Sequence, residues 1–189
     1  MKTGLRCIGF GALMYFFDFN VIVGIRSVDV FPDIVGAFLI IVGAATIGPY
    51  HSQFKQASFF AVIGGVGEVL VWMADTTSVN NLGTLLTLAS PVAFALAYAG
   101  IAKLARLNNA GRLATEASLA AWLLVSGAAV GLIAFFATID DGTPAAQVTF
   151  LAPGALLLVG FFVVIIWLIT IFFRAASRLK NVPLKEAAR

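Results

Sequence analysis

Six apolar runs, at about 5–24, 32–49, 57–75, 82–102, 117–138 and 148–173, decide what this chain can become. Several approach or exceed the ~18–20 apolar residues that a helix needs to cross a hydrocarbon core about 30 Å thick. A backbone in lipid has no water to bond, so it must satisfy its own polar groups, and a helix does this within one segment. The expected fold class is therefore all-α: a polytopic six-transmembrane-helix bundle over residues 1–174, then a basic cytoplasmic tail over 175–189. Of 189 residues, 61% are hydrophobic and only 11% charged. That leaves no stretch with the composition of a separate soluble domain.

The gaps between the runs carry turn chemistry. Pro32 stands where the second helix would begin, a position that needs no backbone donor, and Gly48-Pro49 closes that helix. Asn80 and Asn81 precede the fourth run and either can cap it. Pro91 lies inside that run and predicts a kink, because proline removes one helical hydrogen bond and crowds the preceding turn. Asp140-Asp141-Gly142-Thr143-Pro144 breaks the fifth run from the sixth. The basic start, Lys2 and Arg6, followed by an apolar stretch has the outline of a signal peptide. Asp18 interrupts that stretch and no small-x-small cleavage site follows, so the expectation is a retained first span.

The net charge of +3 and pI near 9.3 do not point to nucleic acid, because the cations stand at the ends of the runs. Of the 12 Lys and Arg, all but Arg26 fall on one side when the spans are threaded alternately. That side holds Lys2, Arg6, Lys55, Lys103, Arg106 and Arg112, then Arg174, Arg178, Lys180, Lys185 and Arg189. The positive-inside rule makes it cytoplasmic, with both termini on it. The opposite side carries Asp29, Asp33, Asp75, Asp140 and Asp141. The tail after Arg174 is read as a stop-transfer and orientation signal, with contact to anionic headgroups or an acidic partner as the alternative. Expected partners are the lipid bilayer and, beyond it, other membrane subunits or a second copy of the chain.

Chemistry concentrates at two acids inside the spans. Asp18 lies in the first and Glu68 in the third, where an ionisable group costs roughly 2.5–3.5 kcal/mol on insertion scales and usually faces protein or a wet cavity. At about 1.5 Å per residue, Asp18 sits about 9 Å below Gly24 and Glu68 about 10 Å below Asp75, so the two share a depth in the outer half. Each acid shares a helix face with small residues, Gly4 and Gly11 in the first span and Ala61, Gly64 and Gly65 in the third. No Lys, Arg or His lies deep in a span to neutralise them. Asp18, Asn20, Glu68 and Asp75 are thus the candidate ion- or solute-binding residues. The structural alternative is that Asp18 bonds Asn20 or a freed backbone group and that Glu68 bonds across a helix interface.

Small-residue ladders, Gly127/Gly131 in the fifth span and Ala57/Ala61/Gly65 in the third, are candidates for close helix packing, within the bundle rather than on a dedicated dimer face. No enzymatic activity is expected: the sequence has no HExxH, no GxSxG and no phosphate-cradling glycine loop. His51, the sole histidine, falls in a turn where a solvated or headgroup role is expected. Cys7 stands alone, which excludes an intrachain disulfide and a multi-cysteine metal site. Neither cofactor nor metal is anticipated.

Asp18-Phe19-Asn20 followed by Phe31-Pro32-Asp33-Ile34-Val35-Gly36 resembles a pattern in small bacterial multi-pass inner-membrane proteins. There an acid-x-Asn precedes a Pro-Asp-hydrophobic-hydrophobic-Gly opening of the second span. The likeness covers about residues 16–48 and implies a bacterial inner-membrane location without implying an activity. Size and span number are also similar to the substrate-binding subunits of vitamin-importing energy-coupling factor transporters, in architecture only. The functional expectation is a transport-related role: binding or passage of a cation, proton or small solute at an outer-facing pocket near Asp18 and Glu68. The alternative is a non-catalytic accessory subunit of a larger membrane complex.

Overall fold

The computed structural model describes residues 1–16, 20–23, 26–29, 33–73, 77–139 and 153–179. Helix α1 spans Lys2–Phe16 and is followed by an antiparallel hairpin of β1, Asn20–Val23, and β2, Arg26–Asp29. Then come α2, Asp33–Ile47, with a 3-10 turn at Gly48–Tyr50, and α3, Ser52–Trp72. The remaining helices are α4, Thr77–Thr87; α5, Ala89–Leu107; α6, Gly111–Ile139; and α7, Pro153–Arg178. The fold is all-α apart from the hairpin. Three stretches among the described residues are long and apolar enough to cross a membrane: Ser52–Val71, Ser78–Leu107 and Gly111–Val130. Pro32, Asp18, Asp75, the 140–152 break and the tail from 180 onward lie outside the described residues.

The hairpin corrects the expected first span, which does not run as helix to residue 24. Val21-Ile22-Val23 is a β-branched run that loses little in an extended strand and crowds a helix. In its register Asn20 pairs with Asp29 and Val23 with Arg26. At 15 residues each, α1 and α2 rise about 22 Å, short of a full hydrocarbon core.

Pro91 does interrupt the fourth run, at the single residue Leu88, which keeps right-handed helical angles of φ −62° and ψ −11°. The missing proline N–H leaves the Thr87 carbonyl without its helical donor, and the path divides at Leu88 into α4 and α5. Asn80 and Asn81 lie within α4 rather than capping it, since that helix already begins at Thr77. At the far end, Asn109 takes a left-handed φ of 55°. The Ala110 amide donates to Ala105 O and the Asn109 amide to Arg106 O, a Schellman close that turns the chain from α5 into α6.

Backbone proximity organises the bundle. On α1 a Cβ placed at Gly4 would stand 2.7 Å from Gly43 O, and one at Gly11 would stand 2.6 Å from Gly36 O. The ladder is reciprocal, because a Cβ at Gly36 would meet Gly11 O at 2.9 Å and one at Gly43 would meet Gly4 O at 2.6 Å. Two antiparallel helices therefore touch glycine to glycine over two turns, closer than any side chain permits. On α3, Ala57 and Ala61 are buried and Gly65 rests on Ala37 of α2 at ordinary contact distance. Its other face packs on α4 and α5, with Gly67 against Gly83 and Gly64 against Ser90. The core between α1, α3, α5 and α7 is filled by Phe54, Phe94, Tyr98 and Phe172, and the Tyr98 hydroxyl donates to Leu168 O at 2.8 Å.

Gly127 does not share in this packing. A Cβ built there meets no described atom within 4 Å, so among the described residues the Gly127/Gly131 pair makes no close intrachain contact at its first member. Gly131 belongs to α6, with its surroundings outside the described residues. The same half of α6 leaves Val130, Leu132 and Ile133 exposed.

Candidate functional site

Glu68 lies one turn before the end of α3, half-buried among apolar residues. Its carboxylate accepts a hydrogen bond from the Tyr15 hydroxyl, Oη to Oε1, at 2.7 Å. Tyr15 comes from the last turn of α1, and its ring meets Phe94 of α5 edge-on with centroids 6.0 Å apart. A residue of α5 thus braces the α1 tyrosine that reaches the α3 carboxyl. The glycine ladder explains the reach: α1 can lie against α2, and α2 against α3, closely enough for a tyrosine on α1 to touch an acid on α3. Both recorded ion pairs belong to Glu116, so Glu68 has no basic partner among the described residues.

Tyr15 is the residue that sequence reasoning missed. It follows Gly11 by one helical turn, so the two share a face of α1. That spacing is the signal in the sequence that could have found it. Asp18 and Asp75 fall outside the described residues, and Asn20 is placed only by its strand register opposite Asp29. The structure therefore brings Glu68 to the end of the helix that leads into Asp18.

A second polar cluster occupies the opposite, basic end of the bundle. Glu116 in the first turns of α6 accepts from Arg112 Nε at 3.0 Å and from Arg174 Nη2 of α7. Its side chain is 16% exposed, against 85% for Arg112 and 35% for Arg174, so the bond to α7 is the sheltered one. Arg174 Nε is buried without a partner. Glu116 escaped notice in the sequence because it precedes the apolar run expected from 117; α6 begins earlier, at Gly111. Two clefts open at this end, one between α6 and α7 beside Glu116 and one between α5 and α6 beside Lys103, and neither is lined by Glu68. Along α3 the distance from Glu68 to Gln53, in the second cleft, is about 22 Å.

His51 is corrected from a solvated turn residue to a buried helix cap. It is 8% exposed, and its Nδ1 accepts from the Gln53 amide at 3.2 Å at the start of α3. Burial first, and the charge of Lys103 second, lower its pKa from the ordinary value of 6.5. Among the described residues no group of three or more His, Cys, Asp or Glu is placed to hold a metal ion. No protein-family model, curated protein or solved structure matches the chain.

Proposed function

We propose that this chain is a six-span membrane protein with both termini cytoplasmic, and that it binds a proton or a cation at Glu68 as part of a transport-related role. The observation that carries the reading is the Tyr15–Glu68 hydrogen bond. A lone carboxyl inside an apolar helix is costly in lipid. Here it is oriented by a hydroxyl from another helix, and no cation pairs with it among the described residues. Such a group exchanges protons or coordinates a cation with its second oxygen. In this reading the β1–β2 hairpin lies at the outer surface, and Asp18, Asn20 and Asp75 remain the further candidate residues for the same binding role.

The test uses the full-length protein in liposomes containing a pH-sensitive dye. An imposed pH or sodium gradient should drive proton movement in the wild type, and Glu68→Gln should abolish it. Tyr15→Phe should reduce it while leaving the protein folded. If Glu68→Gln moves protons as fast as the wild type, the transport reading fails. Reporter fusions after Arg189 and in the 140–146 loop test the threading, and should report opposite sides.

The bare half of α6 favours a second reading, an accessory subunit whose exposed ridge around Gly127 packs against a larger complex. It predicts no proton movement and a stoichiometric membrane partner after purification in mild detergent.

A further inference from the structure

We propose that the cleft between α5 and α6 is a binding site for one anionic phospholipid, with its phosphate held between Lys103 and Arg106. The cleft measures about 490 Å³. Lys103 and Arg106 stand on its α5 wall, Ser118 and Trp122 on its α6 wall, and Gln53 of α3 closes its floor. Neither cation has a carboxylate partner among the described residues; Arg106 donates instead to Ser118 Oγ at 3.0 Å. The neighbouring cleft between α6 and α7 differs in this respect, because Glu116 supplies its own counter-charge. There one carboxylate offsets one of two arginine charges, although Arg174 Nε stays unpartnered. Lys103 and Arg106 have no such offset among the described residues.

Two further features select a lipid. Ala99, Ala102 and Ala121 leave a shallow apolar wall below the cations, suited to the first carbons of an acyl chain. Trp122, 71% exposed at the rim, places an amphipathic indole where headgroups and chains meet. Basic pockets between spanning helices on the cytoplasmic side are suited to anionic headgroups. The inference rests on that end being cytoplasmic but not on any role for Glu68.

The probe is phosphatidylglycerol, whose headgroup carries both the phosphate charge and free hydroxyls. Full-length protein in delipidated detergent is titrated with it and bound lipid is counted by native mass spectrometry, with phosphatidylcholine as the neutral comparison. One phosphatidylglycerol should bind in preference to phosphatidylcholine. Lys103→Gln and Arg106→Gln should each weaken it about fivefold, the worth of one interfacial cation. Lys103→Arg should retain binding, and Arg112→Gln, on the other cleft, should change nothing. Unchanged thermal midpoints without lipid establish that the variants are folded. Equal binding of phosphatidylcholine overturns the proposal, as does undiminished binding by the Lys103→Gln/Arg106→Gln double variant. Saturation by soluble glycerol phosphate or by a poly-glutamate peptide at the same concentration also overturns it. Because Glu68 is intact throughout, failure here leaves the proton-binding reading standing.

Discussion

Two glycine ladders in this chain have opposite fates. Gly4 and Gly11 of α1 meet Gly43 and Gly36 of α2 so closely that an added Cβ would stand within 3 Å of a backbone oxygen. Gly127 of α6 carries the better-known GxxxG spacing and meets no described atom within 4 Å. The difference lies in what faces the ladder. On α1 the opposing helix also presents glycines in matching antiparallel register, so both backbones yield. The exposed half of α6 presents glycine among Val130, Leu132 and Ile133, with no small-residue partner among the described residues. Spacing on one helix is half a motif; the other half is the facing helix.

The largest effect should come from filling the α1–α2 contact. Gly11→Leu or Gly36→Leu must push the helices apart, and overpacking of this kind costs about 3 kcal/mol or more. Thermal or denaturant unfolding in detergent reads the loss. Gly11→Leu should also break the Tyr15–Glu68 bond, since it separates the helices that carry it. A variant as stable as wild type would mean the ladder is not a contact.

Next comes the basic end of α6, the half of that helix that is pinned. Glu116→Gln removes the negative charge and one of the two oxygens that accept from Arg112 and Arg174, and should cost about 1.5–2 kcal/mol, at the low end for a hydrogen bond to a charged group because an amide oxygen remains. Arg112→Gln should cost at most about 0.5 kcal/mol, because Arg112 is 85% exposed and an exposed pair is screened. Equal losses from the two substitutions would mean that the Arg174 bond adds nothing beyond the Arg112 pair.

A smaller effect should follow pH. His51 is held neutral by burial and by Lys103, so its folded-state pKa lies below 6.5. The unfolded chain then binds the proton more readily than the folded one. Stability should be full above about pH 6.5, fall as pH drops toward the lowered value, and level off below it. His51→Asn keeps a side-chain acceptor at the cap and removes the titration, so this part of the slope should vanish. An identical slope in wild type and variant would assign it to other groups.

The smallest effect is expected at Gly127. Gly127→Ala should leave stability unchanged or raise it by up to about 1 kcal/mol, the helix-propensity gain at an open site. Gly127→Leu then sharpens the comparison by reading oligomer size. A smaller particle would identify this face as a contact between copies or subunits, and an unchanged one leaves it to lipid.

Much of the architecture was legible because lipid allows so few solutions. Runs of span length, the position of Pro91 and the small residues of α3 all read directly onto helices, an interruption and a packed face. Pairwise geometry was not legible. Nothing local says that Gly11 faces Gly36, or that Tyr15 reaches Glu68. The end of α1 was misread because hydrophobicity alone does not separate helix from strand in Val21-Ile22-Val23. His51 was misread for a similar reason, since a turn in sequence is not always exposed in space. Glu116 was missed because helix α6 outruns its apolar run.

The central claim is that Glu68 is an exchangeable carboxyl oriented by Tyr15, and infrared difference spectroscopy during a pH titration tests it most directly. Wild-type protein should show a carboxyl band that appears on protonation and disappears in Glu68→Gln. In Tyr15→Phe the same band should persist at a displaced frequency, because the carboxyl has lost its hydroxyl donor. A band that is absent in wild type, or that Tyr15→Phe leaves unmoved, would contradict the account.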